Sequence, residues 1–248
     1  MSEKTVANSM TLKQRFGAWL IPRLFINRHV FNHIRLELNA LRVRILSQLN
    51  PGLRGKIYYL RQQHDLLINI GCGPFGHSNW VNLDLFPHPN VTLTADCRRW
   101  LPFADSSCLG IHVEHFLEHL NPVDERSQFL QECRRCLQPN GVLRVIVPDA
   151  ELYIKAYLES GWDTLNQIGC GGDKPETVFK TKMDALNHVF IQDWEHYGGY
   201  DAESLEQTIK DAGFKQITRW SWQQGDFPGG CIDRDQHRLY SLYFEAKL

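Results

Sequence analysis

The 248-residue chain is 43% hydrophobic and 22% charged, the balance of a globular protein, which excludes global disorder. Its length suits one α/β domain and is short for two, and no stretch reaches the roughly 18 apolar residues of a membrane span. Net charge is only -1 but unevenly spread: residues 1–64 carry +9 and the rest -10. That asymmetry fits an anionic partner (a phosphate-bearing substrate, a lipid surface or nucleic acid) or a solvated helical face that pairs with the acidic remainder. With no dense Lys/Arg run, the second reading leads.

The apolar run Phe16 to Ile26 is broken by Pro22 and Arg23 and has no small-residue cleavage site behind it. No secretory signal is expected, and the expected location is the cytoplasm. Residues 11–50 read as helical, with Phe31, Ile34, Leu38, Leu41 and Ile45 at three- and four-residue steps. Pro22 should divide them into two helices, and Asn50-Pro51-Gly52 should end the second. Residues 1–60 are thus expected as an N-terminal helical extension and 61–248 as the main domain.

Leu66 to Ile70 is a short apolar run against a glycine-rich turn, the pattern of a buried parallel strand. Further strands are expected at Val81 to Leu85, Val91 to Ala95, Cys108 to Val113 and Val142 to Val147. Helices are expected at Pro122 to Leu137 and Ala150 to Ser160. The lone Cys133-x-x-Cys136 lies in the first of these helices without a second pair, so two ordinary thiols are the better reading than zinc or redox chemistry. With seven irregularly spaced cysteines, no disulfide framework is expected.

Residues 161–196 have no strong period and read as a lid or substrate insert; Phe179, His188, Trp194 and His196 are its candidate contacts or a satellite core beneath a long loop. A helix at Asp201 to Asp211 precedes two strands, Lys215 to Trp222 and Leu239 to Ala246. Strands alternating with helices predict a Rossmann-like, mostly parallel sheet with helices on both faces. The last two strands, joined without a helix, should be antiparallel.

Gly71-Cys72-Gly73-Pro74-Phe75-Gly76 matches G-x-G-x-x-G after a strand, a nucleotide-site signal that is weak alone. A dinucleotide fits poorly. Pro74 removes a loop donor, and Gly71 to Trp80 leaves ten residues before the next strand, no room for a long phosphate-binding helix. The acid of that strand, Asp84, follows Gly71 by 13 positions instead of about 20. A dehydrogenase is therefore disfavoured. A cofactor with a nucleoside and no phosphates fits better: S-adenosylmethionine needs a tight glycine turn, a carboxylate for its ribose hydroxyls and a polar group at its adenine. Asp84 and Asp96 stand at strand carboxyl ends, where such ligands bind, although each could equally cap a turn.

Here the sequence resembles class I S-adenosylmethionine-dependent methyltransferases, in particular the small bacterial methyltransferase type 11-like branch. The matching pieces are Ile68 to Gly73, Trp80 to Asp84, Ala95-Asp96 with Leu101 to Phe103, His115 to Leu120, Leu137 to Asp149 and Tyr240 to Ala246. The resemblance implies a seven-stranded sheet and S-adenosyl-L-methionine as cofactor. It implies Gly71 and Gly73 at the methionine part, Asp84 at the ribose, Asp96 and the Cys97 backbone at the adenine, and Glu114 near the methyl group. Cys72 and Leu85 complete the set, and Asn69 stands where many relatives carry an acid and would hydrogen-bond the ammonium without charge.

His115-Phe116-Leu117-Glu118-His119 also spells H-x-x-E-H, a zinc peptidase pattern. It follows a predicted strand and meets Asn121-Pro122, leaving barely one helical turn, so zinc hydrolysis is a remote alternative and no metal is expected. An oxygen acceptor near neutral pH needs a base; His115, Asp149 and His196 are the candidates. Each has a structural alternative, such as a helix cap for Asp149. The expected reaction is methyl transfer to an oxygen or nitrogen of a small metabolite or sugar, with an anionic acceptor allowed by the basic first 64 residues and no DNA partner expected. The alternative is a macromolecular acceptor (RNA, peptide or lipid-linked glycan) met through the basic N-terminal helices, and a peripheral membrane contact is compatible with both.

Overall fold

The computed structural model describes residues 27–170 and 173–248. The chain divides into two compact units, residues 1–42 and 43–248. Helix α1 spans Arg28–Leu49, and the expected break at Pro22 lies outside the described residues. Ile34, Leu38, Leu41 and Ile45 are exposed. The Asn50-Pro51-Gly52 signal closes α1 and also opens α2, Pro51–Arg61: Asn50 accepts from the Leu53 amide at 3.1 Å, and Pro51 takes the first turn, where its missing N–H costs nothing. Leu53, Ile57 and Leu60 of α2 pack on the main core, so this helix, expected as part of the extension, belongs physically to the second unit.

That unit is a seven-stranded sheet: β1 Leu66–Ile70, β2 Val81–Asp84, β3 Leu93–Thr94, β4 Cys108–Glu114, β5 Leu137–Pro148, β6 Gln216–Trp220 and β7 Ser241–Lys247. Their order is β3-β2-β1-β4-β5-β7-β6. The pairs from β3 through β5 are parallel, and β7 runs antiparallel to both β5 and β6. The last pair is antiparallel as expected, but β7 alone is reversed, because it slots between β5 and β6. Ile68, Ile70, Leu83, Ile111, Val113, Val145 and Val147 are fully buried. Each contributes about 1.5–3 kcal/mol of burial, which is why the central strands read as unbroken apolar runs.

Helix α3, Glu125–Cys136, buries Phe129, Leu130, Cys133 and Cys136. The C-x-x-C thiols are free and inside the core. Helix α4, Ala150–Leu158, begins directly at the end of β5. The insert is not formless: it holds α5 Asp163–Ile168, α6 Pro175–Val178 and α7 Lys182–Ile191. Leu165 and Val189 form a satellite core with Ala150, Tyr153, Ala156 and Tyr240. Helices this short are marginal in isolation, so their sequence pattern is faint and the satellite core stabilises them. Helix α8, Ala202–Asp211, starts at a capping box of Asp201 and Ser204. Among the described residues no helix is long and apolar enough to cross a membrane.

Candidate active site

The turn after β1 is held from below by two buried asparagines. Asn82 Oδ1 accepts from the His77 amide at 2.9 Å and from Asn69 Nδ2 at 3.2 Å, while its Nδ2 donates to the carbonyls of His77 and Trp80. Asn69 Nδ2 also donates to the Phe75 carbonyl at 3.3 Å. Asn69 thus braces the loop. Gly71 has φ +66, and a Cβ there would meet the Phe116 ring at 2.8 Å; Gly73 has φ +51, and a Cβ there would enter open space. Both need glycine for the left-handed backbone, and only at Gly73 would an added Cβ meet nothing. The Asp84 carboxylate accepts from the amides of Gly73 and Phe86, each at 2.8 Å. Two oxygens with about four lone-pair sites keep capacity for two ribose hydroxyls. Half-buried Leu85 follows it, while Cys72 is buried, and burial pushes its thiol up to about 11, which suits packing and not nucleophilic chemistry.

Asp96, expected at the adenine, holds cations instead of an open edge. Arg98 donates through Nε at 2.9 Å and Nη2 at 3.1 Å, and Arg44 donates through Nε at 2.7 Å. Burial opposes the charge of Asp96, but the two arginines outweigh it and hold its pKa below the ordinary carboxylate value. Arg44 is therefore one N-terminal cation that does pair with the acidic domain. Cys97 is buried beside it.

Glu114 ends β4 and is buried among donors. It accepts from the Arg234 amide at 3.0 Å, Arg234 Nε at 2.9 Å and His237 Nδ1 at 2.8 Å, with His112 Nε2 at 3.4 Å. Burial works against its charge, yet the bonds from His112 and His237 and the charge of Arg234 hold its pKa well below the carboxylate range. Arg234 lies over the Phe75 ring at 5.1 Å. Asn69, Cys72, Phe75, Glu114 and Arg234 share a cavity of about 10 Å³, room for about one water.

Arg234 and His237 are candidate site residues that the sequence did not single out. They reach β4 because a fully buried cation pins their loop. Arg144, 0% exposed in mid-β5, donates to Asp233 through Nε at 2.7 Å and Nη2 at 2.5 Å, and through Nη1 to Glu245 at 2.8 Å and to the Gln224 carbonyl at 3.0 Å. Two signals were available: a lone arginine inside an apolar strand, and the dense polar run Asp233 to Arg238.

Beyond Gly71 opens a cleft of about 730 Å³, lined in part by His115, His119, His188, His196, His237 and Tyr240, a volume typical of small-molecule sites. The insert forms one wall: Phe179 faces the cleft with its ring 5.2 Å from His188, whereas Trp194 is exposed. His115 follows β4 at φ +53, an uncommon conformation for a non-glycine residue. Its ring stacks on His237 at 3.7 Å, Nε2 meets Ser241 Oγ at 2.9 Å, and burial, then the neighbouring His237, holds it neutral. His196 donates Nδ1–H to the Val189 carbonyl at 2.8 Å, and burial lowers its pKa to about 4.

Asp149, a candidate base with a helix cap as its alternative, takes the capping position in the structure. It is buried and accepts from the Glu151 amide at 3.1 Å as the N-cap of α4, and it is not among the cleft-lining residues. The helix-capping alternative is what the geometry carries, because the adjoining orphan amides need an acceptor. The H-x-x-E-H segment is likewise no peptidase helix. Leu117–His119 is a single 3-10 turn, and His115 lies outside it with its ring directed to Ser241 and His237. Glu118 is 1% exposed, neither of its oxygens has a hydrogen-bond partner, and burial pushes it up to about 8.

The sheet order and the row of polar residues at the carboxyl ends of β1 to β4 define an α/β enzyme of the kind the sequence resembles. Residues 69–145, from β1 through most of β5, match the model of a methyltransferase domain family. The match covers residues 69–145 and supports S-adenosylmethionine-dependent methyl transfer as the activity of this domain. No curated protein matches its sequence. Similar solved structures include a methyltransferase from Archaeoglobus fulgidus that uses the same cofactor, at 14% identity and TM-score 0.44, covering 85% of this chain and 94% of that one. Another is the Burkholderia thailandensis 1,6-didemethyltoxoflavin-N1-methyltransferase with bound 1,6-didemethyltoxoflavin and S-adenosylhomocysteine, at 13% identity and TM-score 0.43, covering 89% and 90%. A third, from Aquifex aeolicus, has 14% identity and TM-score 0.40, covering 84% and 97%.

Proposed function

We propose that the chain methylates an oxygen or nitrogen of a small metabolite or sugar held in the cleft between the sheet and the insert. The observation that carries this reading is adjacency: Gly71, at the cofactor turn, also lines the roughly 730 Å³ cleft. When bound, S-adenosylmethionine supplies a methyl group already activated on a sulfonium, so the protein's contribution is placement and desolvation. Asp84 would hold the ribose, the open space at Gly73 would take the methionine part, and Arg234 would offer a cation to its carboxylate. Asp96, engaged by Arg44 and Arg98, offers the adenine a polar border through its backbone and that of Cys97. Glu114 acts through Arg234 and His237, which it orients.

His115 is the proton acceptor for a hydroxyl or ammonium acceptor. It is neutral, lines the cleft, and is held in one orientation by Ser241 and the His237 ring. The test is labelled methyl transfer across a panel of hydroxyl and amine acceptors, with calorimetric titration of S-adenosylhomocysteine on the same protein. His115→Ala is expected to lower kcat by about 10²- to 10⁴-fold with product affinity unchanged. A variant within tenfold of wild type would remove His115 from the proton path.

A further inference from the structure

We propose that Glu118, His119 and His196 bind one divalent transition-metal ion, such as Zn²⁺, in the wall of the acceptor cleft. Each offers a ligand atom, and the three atoms lie within 4.8 Å of one another. Tetrahedral zinc bonds of ~2.1 Å set ligand atoms about 3.4 Å apart, so side-chain rotations of about 1 Å close the set. The site joins two distant segments: Glu118 and His119 sit on the turn after β4, and His196 ends the insert.

Two observations mark a site and not a chance gathering. First, both histidines are fixed in the tautomer that metal ligands usually have. His119 Nδ1 pairs with the Glu195 carbonyl at 3.1 Å and His196 Nδ1 with the Val189 carbonyl at 2.8 Å. A carbonyl can only accept, so each Nδ1 carries the proton and each Nε2 keeps its lone pair for an ion. Second, Glu118 is 1% exposed with both oxygens unpartnered; its nearest polar neighbour, His115 Nδ1, is 3.5 Å away. A buried carboxyl without donors is costly, and a cation would complete it. Two imidazoles and one carboxylate suit Zn²⁺, Mn²⁺ or Fe²⁺. His119 and His196 line the cleft, so the remaining coordination positions face the acceptor, which favours acceptors that present an oxygen donor. The site does not depend on which acceptor is methylated.

The experiment strips the full-length protein with a chelator and then titrates Zn²⁺ against a chromophoric competitor. One ion per chain is expected, with roughly 100-fold weaker binding in Glu118→Gln and in His196→Ala. Titration with Co²⁺ should give visible d–d absorption without a thiolate charge-transfer band. Zn²⁺ should also raise the Tm of wild type, and protect residues 182–196 from hydrogen exchange, but do neither in Glu118→Gln, a variant of nearly the same shape. No stoichiometric binding by folded wild type, unchanged affinity in both variants, or a thiolate band placing the ion on cysteines would each overturn the site. Titration of S-adenosylhomocysteine into the same samples reports separately on the methyl-transfer reading: its failure beside a bound ion would sink that reading and leave the metal site standing.

Discussion

The two halves of the active site are built differently. The cofactor half runs from Asn69 to Glu114, and most of its contacts close within short stretches of chain, such as Gly73 to Asp84 at 2.8 Å and Asn69 to Asn82 at 3.2 Å. The acceptor half brings together His115, His196, Arg234, His237 and Tyr240, drawn from β4, the insert and the loop before β7. The first half depends on strand ends that the sheet sets in a row. The second depends on long-range pins, above all buried Arg144. Damage should therefore separate them: a change in the pins costs the acceptor side and the fold, and a change at a strand end costs cofactor affinity alone.

The largest expected effect lies at the pins. Arg144→Met leaves Asp233 and Glu245 as uncompensated buried acids, and such losses cost about 3–5 kcal/mol. Urea unfolding should show it, and a loss below about 1 kcal/mol would mean that the loop does not need the pin. Next comes Asp84→Ala, which should weaken S-adenosylhomocysteine binding roughly 100-fold, about 2.7 kcal/mol, with an unchanged melting curve. If the melt falls instead, Asp84 serves the loop through Gly73 and Phe86 more than it serves the ligand.

Asp149→Ala sharpens the comparison further. As a helix cap it should cost about 1 kcal/mol of stability and leave kcat within a fewfold; a collapse of kcat in the folded variant would restore it as a base. The smallest effect is a pH response. Asp96 and Glu114 have folded pKa values held below the ordinary carboxylate value. Their stabilisation is therefore fully present above that ordinary value and is lost as pH falls through the folded values. Melting temperature should drop on acidification below about pH 4, and less steeply in Glu114→Gln. Equal slopes would mean that Arg234 and His237 do not hold the Glu114 charge.

Legibility follows the same division. β1 stands at Leu66–Ile70 as the apolar run predicted, and the reversed strand was legible from the missing helix between the last two strands. β3 shrank to Leu93–Thr94, since an edge strand with one neighbour keeps little of its ladder. In the candidate site, the strand-end placement of Gly71, Gly73, Asp84 and Glu114 was legible because each lies at the carboxyl end of a recognisable strand. Asp149 was open in the sequence because a carboxylate after a strand serves equally as ligand or cap, and the structure shows it accepting from the Glu151 amide.

By itself the sequence determined the strand–helix alternation, the glycine turn and the acids at the strand ends, since all of these rest on local periodicity and backbone freedom. Tertiary structure alone decided that α2 joins the core, that three short helices stabilise one another in the insert, and that Arg234 and His237 reach Glu114. It also decided that His119 meets His196, 77 positions away in the chain, with ring centroids 4.6 Å apart. The physical reason is one of range. A turn or strand expresses the preferences of its own residues, whereas a buried ion pair or a gathered set of ligands exists only after the core has fixed how distant segments approach.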